Sequence, residues 1–308
     1  MKKIMQAALL VMVAISFNFA DASAASNDKY KPFVLASNGV GTMAASVAEV
    51  SAKLQAAGLE IVGTHSPYPT ATILVVTNDE MKKAAAKSER GGFGAAQRVA
   101  ITDQGGEIQV SYTNPYYMAG AYRMDGNLGF AAKALEGALG KVEEYGMSGG
   151  MSDRSLRDYH YMFGMEYFTD PHYLSRFLNH GDAVAAVEAG LAKGVSGITK
   201  VYRIDIPGKD EVLFGVAMNG VKGAGDQQDD KFLMSEIDFK DIRSSAHLPY
   251  EMLVTGNRVY ALSARFRIAI SFPDLAMMGD NSFMNIMDSP NTIKAALTGV
   301  AGDVWAKK

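Results

Sequence analysis

Four of the five histidines, His160, His172, His180 and His247, lie in the second half of the chain, and some have neighbours able to do chemistry. His160 and Met162 are two residues apart, so an extended strand would put them on one face. His172 follows the turn residue Pro171. Imidazole and thioether donors together suit a soft ion, copper above all. His160, Met162 and His172 are therefore the residues a metal centre would be built from. On such a strand Met165 points away from Met162, and no H-E-x-x-H or comparable zinc spacing occurs. The remaining histidine, His65, sits between turn residues near Pro67 and Pro69 and reads as part of a loop.

A second candidate group is His247, Arg265 and Arg267. Alternating apolar residues from Tyr260 to Phe272 predict a long strand over 258–272 with Arg265 and Arg267 on its more polar face. Two guanidinium groups side by side can fork onto a carboxylate or phosphate. Folding a hairpin about Gly256 brings His247 opposite Arg265, which makes these three the expected ligand-binding residues. The plainer alternative is ion pairing with Glu251 or Asp238. The glycine runs Gly39-Val40-Gly41 and Gly91-Gly92-Phe93-Gly94 lack the strand and helix context of a nucleotide site, and G-x-S-x-G is absent. No catalytic residue and no cofactor is expected. A binding or protein-interaction module is the first reading. The alternative is a copper handler or small-molecule enzyme centred on the second half.

Composition sets the frame for these groups. The chain has 308 residues, 48% of them apolar, and a formal net charge of -3. That is enough for two domains of ordinary size. It also supplies no basic excess to neutralise phosphates, so nucleic acid is not an expected partner. There is no cysteine, which removes disulfides and thiolate chemistry. The 18 methionines read as adaptable core filler. Lys2 and Lys3, an apolar run over 4–19 and small residues through Ala25 match the three parts of a secretory leader, expected over 1–24. Nothing after it is long and apolar enough to span a membrane. The expected location is periplasmic or secreted.

The elements that would position these groups occur twice. Helical periodicity over 46–54, a strand near 59–62 and a buried strand over 72–78 are matched by a helix over 182–191 and strands over 197–201 and 212–219. A hairpin over 98–112, turning at Gly105-Gly106, is matched by one turning at Thr255-Gly256-Asn257. Each half then passes a proline, Pro115 or Pro273, and closes with a helix, over 131–139 or 292–300. Alternation at 159–167 predicts a further strand, and 277–287 reads as a methionine-rich helix on the sheet. Strands that alternate cleanly imply an α+β fold of two tandem units, each a small antiparallel or mixed sheet with helices on one face. The units are expected at 30–146 and 155–308. A flexible joint is expected at 147–154 and an exposed loop insert at 223–230. Any partner would be a small molecule or a protein, and the chain itself a monomer with pseudo-dimeric units.

These residues resemble a known family. Ala56-Ala57-Gly58, Val75-Val76-Thr77-Asn78-Asp79-Glu80, Arg98-Val99-Ala100-Ile101 and Val110-Ser111-Tyr112-Thr113-Asn114-Pro115 make the first half, over 47–122, similar to the domain-of-unknown-function family 302. The second half resembles it more distantly. There His247-Leu248-Pro249-Tyr250 keeps a Leu-Pro that Ala96-Gln97 replaces in the first half. The resemblance implies a small α+β unit with helices on one side of a sheet, and no reaction.

Overall fold

The computed structural model describes residues 28–221 and 226–302. The leader expected over 1–24 lies outside the described residues. In the first half, β1 (Lys29–Tyr30) and β2 (Phe33–Val40) lead into α1 (Met43–Ala56), β3 (Glu60–Tyr68), β4 (Ala71–Thr77) and α2 (Asp79–Lys87). Then come β5 (Gln97–Gln104), β6 (Glu107–Thr113), α3 (Pro115–Ala121), α4 (Gly129–Leu139) and β7 (Glu143–Tyr145). The chain crosses over through β8 (Met151–Ser152) and α5 (Asp153–Arg157). The second half holds β9 (His172–Arg176), α6 (His180–Ala192), β10 (Ile198–Asp205), β11 (Glu211–Met218) and α7 (Asp230–Ile237). It ends with β12 (Tyr250–Thr255), β13 (Arg258–Ala261), α8 (Ala264–Ser271) and α9 (Ser289–Ala301).

The fold is α+β, and its two main sheets are antiparallel throughout. Their orders are β3-β4-β5-β6-β2-β7 and β10-β11-β12-β13-β9. Apart from the added β7, the connection order is the same: β2 in the first half and β9 in the second each pair beside the final hairpin of their sheet. Local signals start the helices as the residues dictate. Asn78, Asn114 and Asn179 each accept a backbone N–H in the first turn of the helix that follows. No helix among the described residues is long and apolar enough to cross a membrane.

Each sheet is covered on one face by its own helices. Val50 and Leu54 of α1 and Leu135 of α4 share a core with the first sheet. Val187 of α6 and Ile293, Leu297 and Val300 of α9 share one with Val212, Phe214 and Val216 of β11. The other face of each sheet was expected to be the less apolar, open one. It is buried instead, because the two sheets pack against each other through it. Tyr202, Ile204, Leu213 and Leu253 of the second sheet belong to the same core as Ile73, Val75 and Ala100 of the first. The layers therefore run helix, sheet, sheet, helix, with a seam between the sheets.

Several expected elements differ. The strand predicted over 258–272 stops at Ala261, and α8 takes over. Seven of the eight α8 residues are buried, including Phe266, Ile268 and Ile270. A helix buried on nearly every side shows no apolar stripe, so its sequence imitates a strand. The strand expected at 159–167 is a run of turns and coil, and 277–287 holds only a 3-10 turn, Phe283–Ile286. His65 is no loop residue. It lies in β3, an edge strand, where nearby prolines cost no ladder bond. The joint expected at 147–154 contains β8, which pairs with β1, and the start of α5, capped by Ser152. Of the insert expected at 223–230, Gln228 is buried and donates to the Asn219 carbonyl, and Asp229 caps α7.

One glycine shapes the seam. A Cβ on Gly215 of β11 would lie 1.8 Å from Cε1 of the Tyr202 ring, so the ring crosses β11 only because position 215 is bare. Gly215→Val forces that ring aside and is expected to lower stability by roughly 3 kcal/mol, from overpacking plus the lost Tyr202 hydrogen bond. Urea denaturation checks this; a loss below about 1 kcal/mol would show the seam tolerates a displaced ring.

Candidate functional site

The seam carries the polar groups of both sheets. Arg98, Ala100 and Thr102 alternate onto it from β5, and Glu211, Leu213 and Glu251 reach it from β11 and β12. At its centre Glu251 pairs with cations from both halves of the chain. Its Oε1 lies 2.6 Å from Nη2 of Arg98, and its Oε2 lies 3.2 Å from Nη1 of Arg267. The Tyr202 hydroxyl donates to Oε1 at 2.6 Å. Arg267 also donates to the carbonyls of His247 (2.6 Å) and Pro249 (3.0 Å), and its guanidinium lies 4.5 Å from the centre of the Tyr250 ring. Burial opposes the Arg98 charge, yet Glu251 together with Tyr122 and Tyr202 outweighs it and raises its pKa. Burial, then Glu251, raises the Tyr202 hydroxyl.

Two further bonds cross the seam. His65 Nε2 lies 2.9 Å from Asp230 Oδ2, which also accepts the Met218 N–H, and burial pushes the Asp230 carboxyl up. Glu211 Oε1 accepts the Gly92 N–H at 2.7 Å, and burial raises this carboxyl too.

The structure separates the sequence-derived candidates. His247 is buried, its Nδ1 2.9 Å from Ser271 Oγ. Burial, then Arg267 and Arg98, hold its pKa well below the ordinary histidine value, so the ring is neutral. Arg267 is committed to Glu251, the ion pairing that the plainer reading offered, but inside the protein rather than on a solvated face. Arg265 does not join them. Two helical residues apart, it points elsewhere and pairs with Glu166 at 3.1 Å. No open guanidinium fork results.

The metal candidates are likewise not gathered. His160 Nδ1 bonds the Met162 carbonyl at 2.8 Å, and its ring centre lies 4.3 Å from that of Tyr167, the planes tilted by 34°. Met162 is exposed. His172 lies on β9, its pKa lowered by burial and then by Lys294, with Glu166 and Arg265 acting in opposite directions. Among the described residues no group of three or more His, Asp or Glu is placed to hold a metal ion.

What remains open is a cleft of about 250 Å³ at the rim of the seam. Tyr145 and Gly146 wall it from the first half; Ile237 ends α7, Asp238, Phe239, Ile242 and Ser244 follow it, and Phe272 and Leu275 follow α8. The Tyr145 hydroxyl donates to the Arg243 carbonyl at 2.6 Å, holding the two walls together. Asp238, buried, is the cleft's fixed charge. Its Oδ1 accepts the Ser244 N–H at 2.8 Å and its Oδ2 the Ser245 hydroxyl at 3.2 Å. Ser245 continues to the Tyr68 hydroxyl of β3 at 2.9 Å. Burial pushes the Asp238 carboxyl up to about 6, and burial followed by Asp238 pushes Tyr68 up to about 12. On the far side of Asp238 a wider recess of about 420 Å³ holds Asp103, Lys231 and Arg243. Sequence reading named Asp238 only as a partner for an arginine. No local motif marks it, because its burial comes from walls more than 90 residues apart in the chain. No family model matches the chain, and no curated protein or solved structure matches it either.

Asp238 makes stability depend on pH. Its folded pKa, about 6, lies above the ordinary 3.8, so the folded state holds more protons between those values. Stability from this group is therefore lost as pH rises through that window, by about 3 kcal/mol in full. Asp238→Asn removes the titration. Urea midpoints across the window should favour Asn increasingly as pH rises; a gap that stays constant would mean the carboxyl titrates normally. His247 contributes to both proteins and largely cancels in the difference.

Proposed function

We propose that this chain is an exported, non-enzymatic binding protein made of two copies of one α+β unit related to family 302, and that its ligand is a small molecule held in the seam cleft. The matching strand order of the two sheets supports duplication. Packing the sheets by their polar faces leaves those faces closed, and of the recesses beside Asp238 the rim cleft is the more apolar one. The observation that carries the reading is the cleft itself: a concave, mainly apolar recess walled by both units, with one buried carboxyl among its polar groups. That combination is the ordinary anatomy of a small-molecule site. Catalysis is not part of the reading. His247 is neutral and its Nδ1 faces a serine at the end of α8, Arg98 and Arg267 are spent on Glu251, and Arg265 on Glu166.

A fluorinated fragment set screened by ¹⁹F NMR tests the site. Fragments are expected to bind the wild type and to lose binding in Ile242→Trp, which fills the cleft, with the melting temperature of that variant within about 5 °C of wild type. Equal binding by both proteins, or none by the wild type, would overturn it. Export is tested by cell fractionation of the full chain. The product outside the cytoplasm should be shorter by roughly 24 residues, the length of an ordinary leader. An intact amino terminus confined to the cytosol would exclude it.

A further inference from the structure

Resting on the cleft as the binding site, we infer that its ligand is a small organic cation: a protonated amine on an apolar body of about one aromatic ring. Three aromatic side chains line the cleft, Tyr145 and Phe272 buried and Phe239 nearly half exposed. Aromatic faces attract cations, and more strongly where water is excluded. Two carboxylates, Asp238 and Asp274, share the lining with one ammonium, Lys240. Lys240 is exposed on a flexible stem, so its charge can stay in water while the ligand enters. Asp238 cannot leave.

The hydrogen-bond count points the same way. Each oxygen of Asp238 has one protein donor, Ser244 N–H or Ser245 Oγ. Each carboxylate oxygen can accept a further bond. Among the described residues Arg243 is the cation that acts on this carboxyl, reaching it from the other side by way of the Asp238 backbone carbonyl, so an incoming ammonium adds the donor and the positive charge that the cleft side does not supply. An anion would meet two carboxylates, and a neutral ligand would gain nothing from their charge. Asp274, whose Oδ2 accepts the Ser148 N–H at 2.8 Å, adds its charge at the exposed side. A volume of about 250 Å³ lies at the small end for ligand sites, which limits the body to about one ring.

Three near-isosteres separate charge from shape: phenethylamine, 2-phenylethanol and 3-phenylpropanoate, titrated by calorimetry into the intact chain at neutral pH. The amine is expected to bind about tenfold more tightly than the alcohol, and the carboxylate most weakly. Asp238→Asn should erase the preference for the amine while changing the alcohol's affinity less than about threefold. If Asp238→Asn does not fold, Asp274→Asn is the second variant and should reduce the same preference. An alcohol that binds as well as the amine, or a carboxylate that binds best, overturns the cation inference and leaves the cleft standing. If none of the three binds wild type, or all bind Ile242→Trp unchanged, the cleft reading itself fails and takes the inference with it.

Discussion

The structure depends on Glu251, one carboxylate held between guanidinium groups from two different units. Arg98 comes from the first sheet, Glu251 from the second and Arg267 from the helix behind it, and all three are almost fully buried. A charge of this kind is tolerable only when its partners are in place, since removing one leaves an unpaired ion in the interior. The two sheets are therefore required to meet in one register. Apolar packing around the cluster adds area without direction; the ions and the Tyr202 hydroxyl supply the direction. Gly215 belongs to the same arrangement, because only a bare position lets Tyr202 reach Glu251.

That constraint also accounts for the cleft. Once the polar faces close on each other, the groups with a free approach are those at the rim, where β7 meets the chain that follows α7. Asp238 stands there between the seam and the opening. It holds the turn leading to His247 through Ser244 and Ser245, and through Ser245 it touches Tyr68 of the opposite sheet. One carboxyl thus both braces the contact between the two sheets and lines the recess beside it.

Much of the local structure was legible because periodicity reports burial on one side. The helices over 46–54, 131–139, 182–191 and 292–300 and the strands over 72–78 and 212–219 lie within or close to observed elements. Where both sides are buried, the signal fails. α8 read as strand for that reason, and its two arginines were placed on a common face when they diverge. The tyrosine-rich stretch at 159–167 alternates without being a strand. Tyr159 donates to the Ala269 carbonyl while Phe163 stands in the open, so its pattern follows separate contacts rather than one face.

The amino-acid sequence alone determined the α+β class, the order of most helices and strands, and the absence of cysteine chemistry, because these follow from side-chain type and spacing along the chain. Only the tertiary structure decided that the polar sheet faces are joined, that His65 meets Asp230 and Arg98 meets Glu251, and that a cleft forms beside Asp238. Those partners are separated by more than 90 residues. Their pairing is set by how two sheets stack, a property of surfaces that no local pattern encodes.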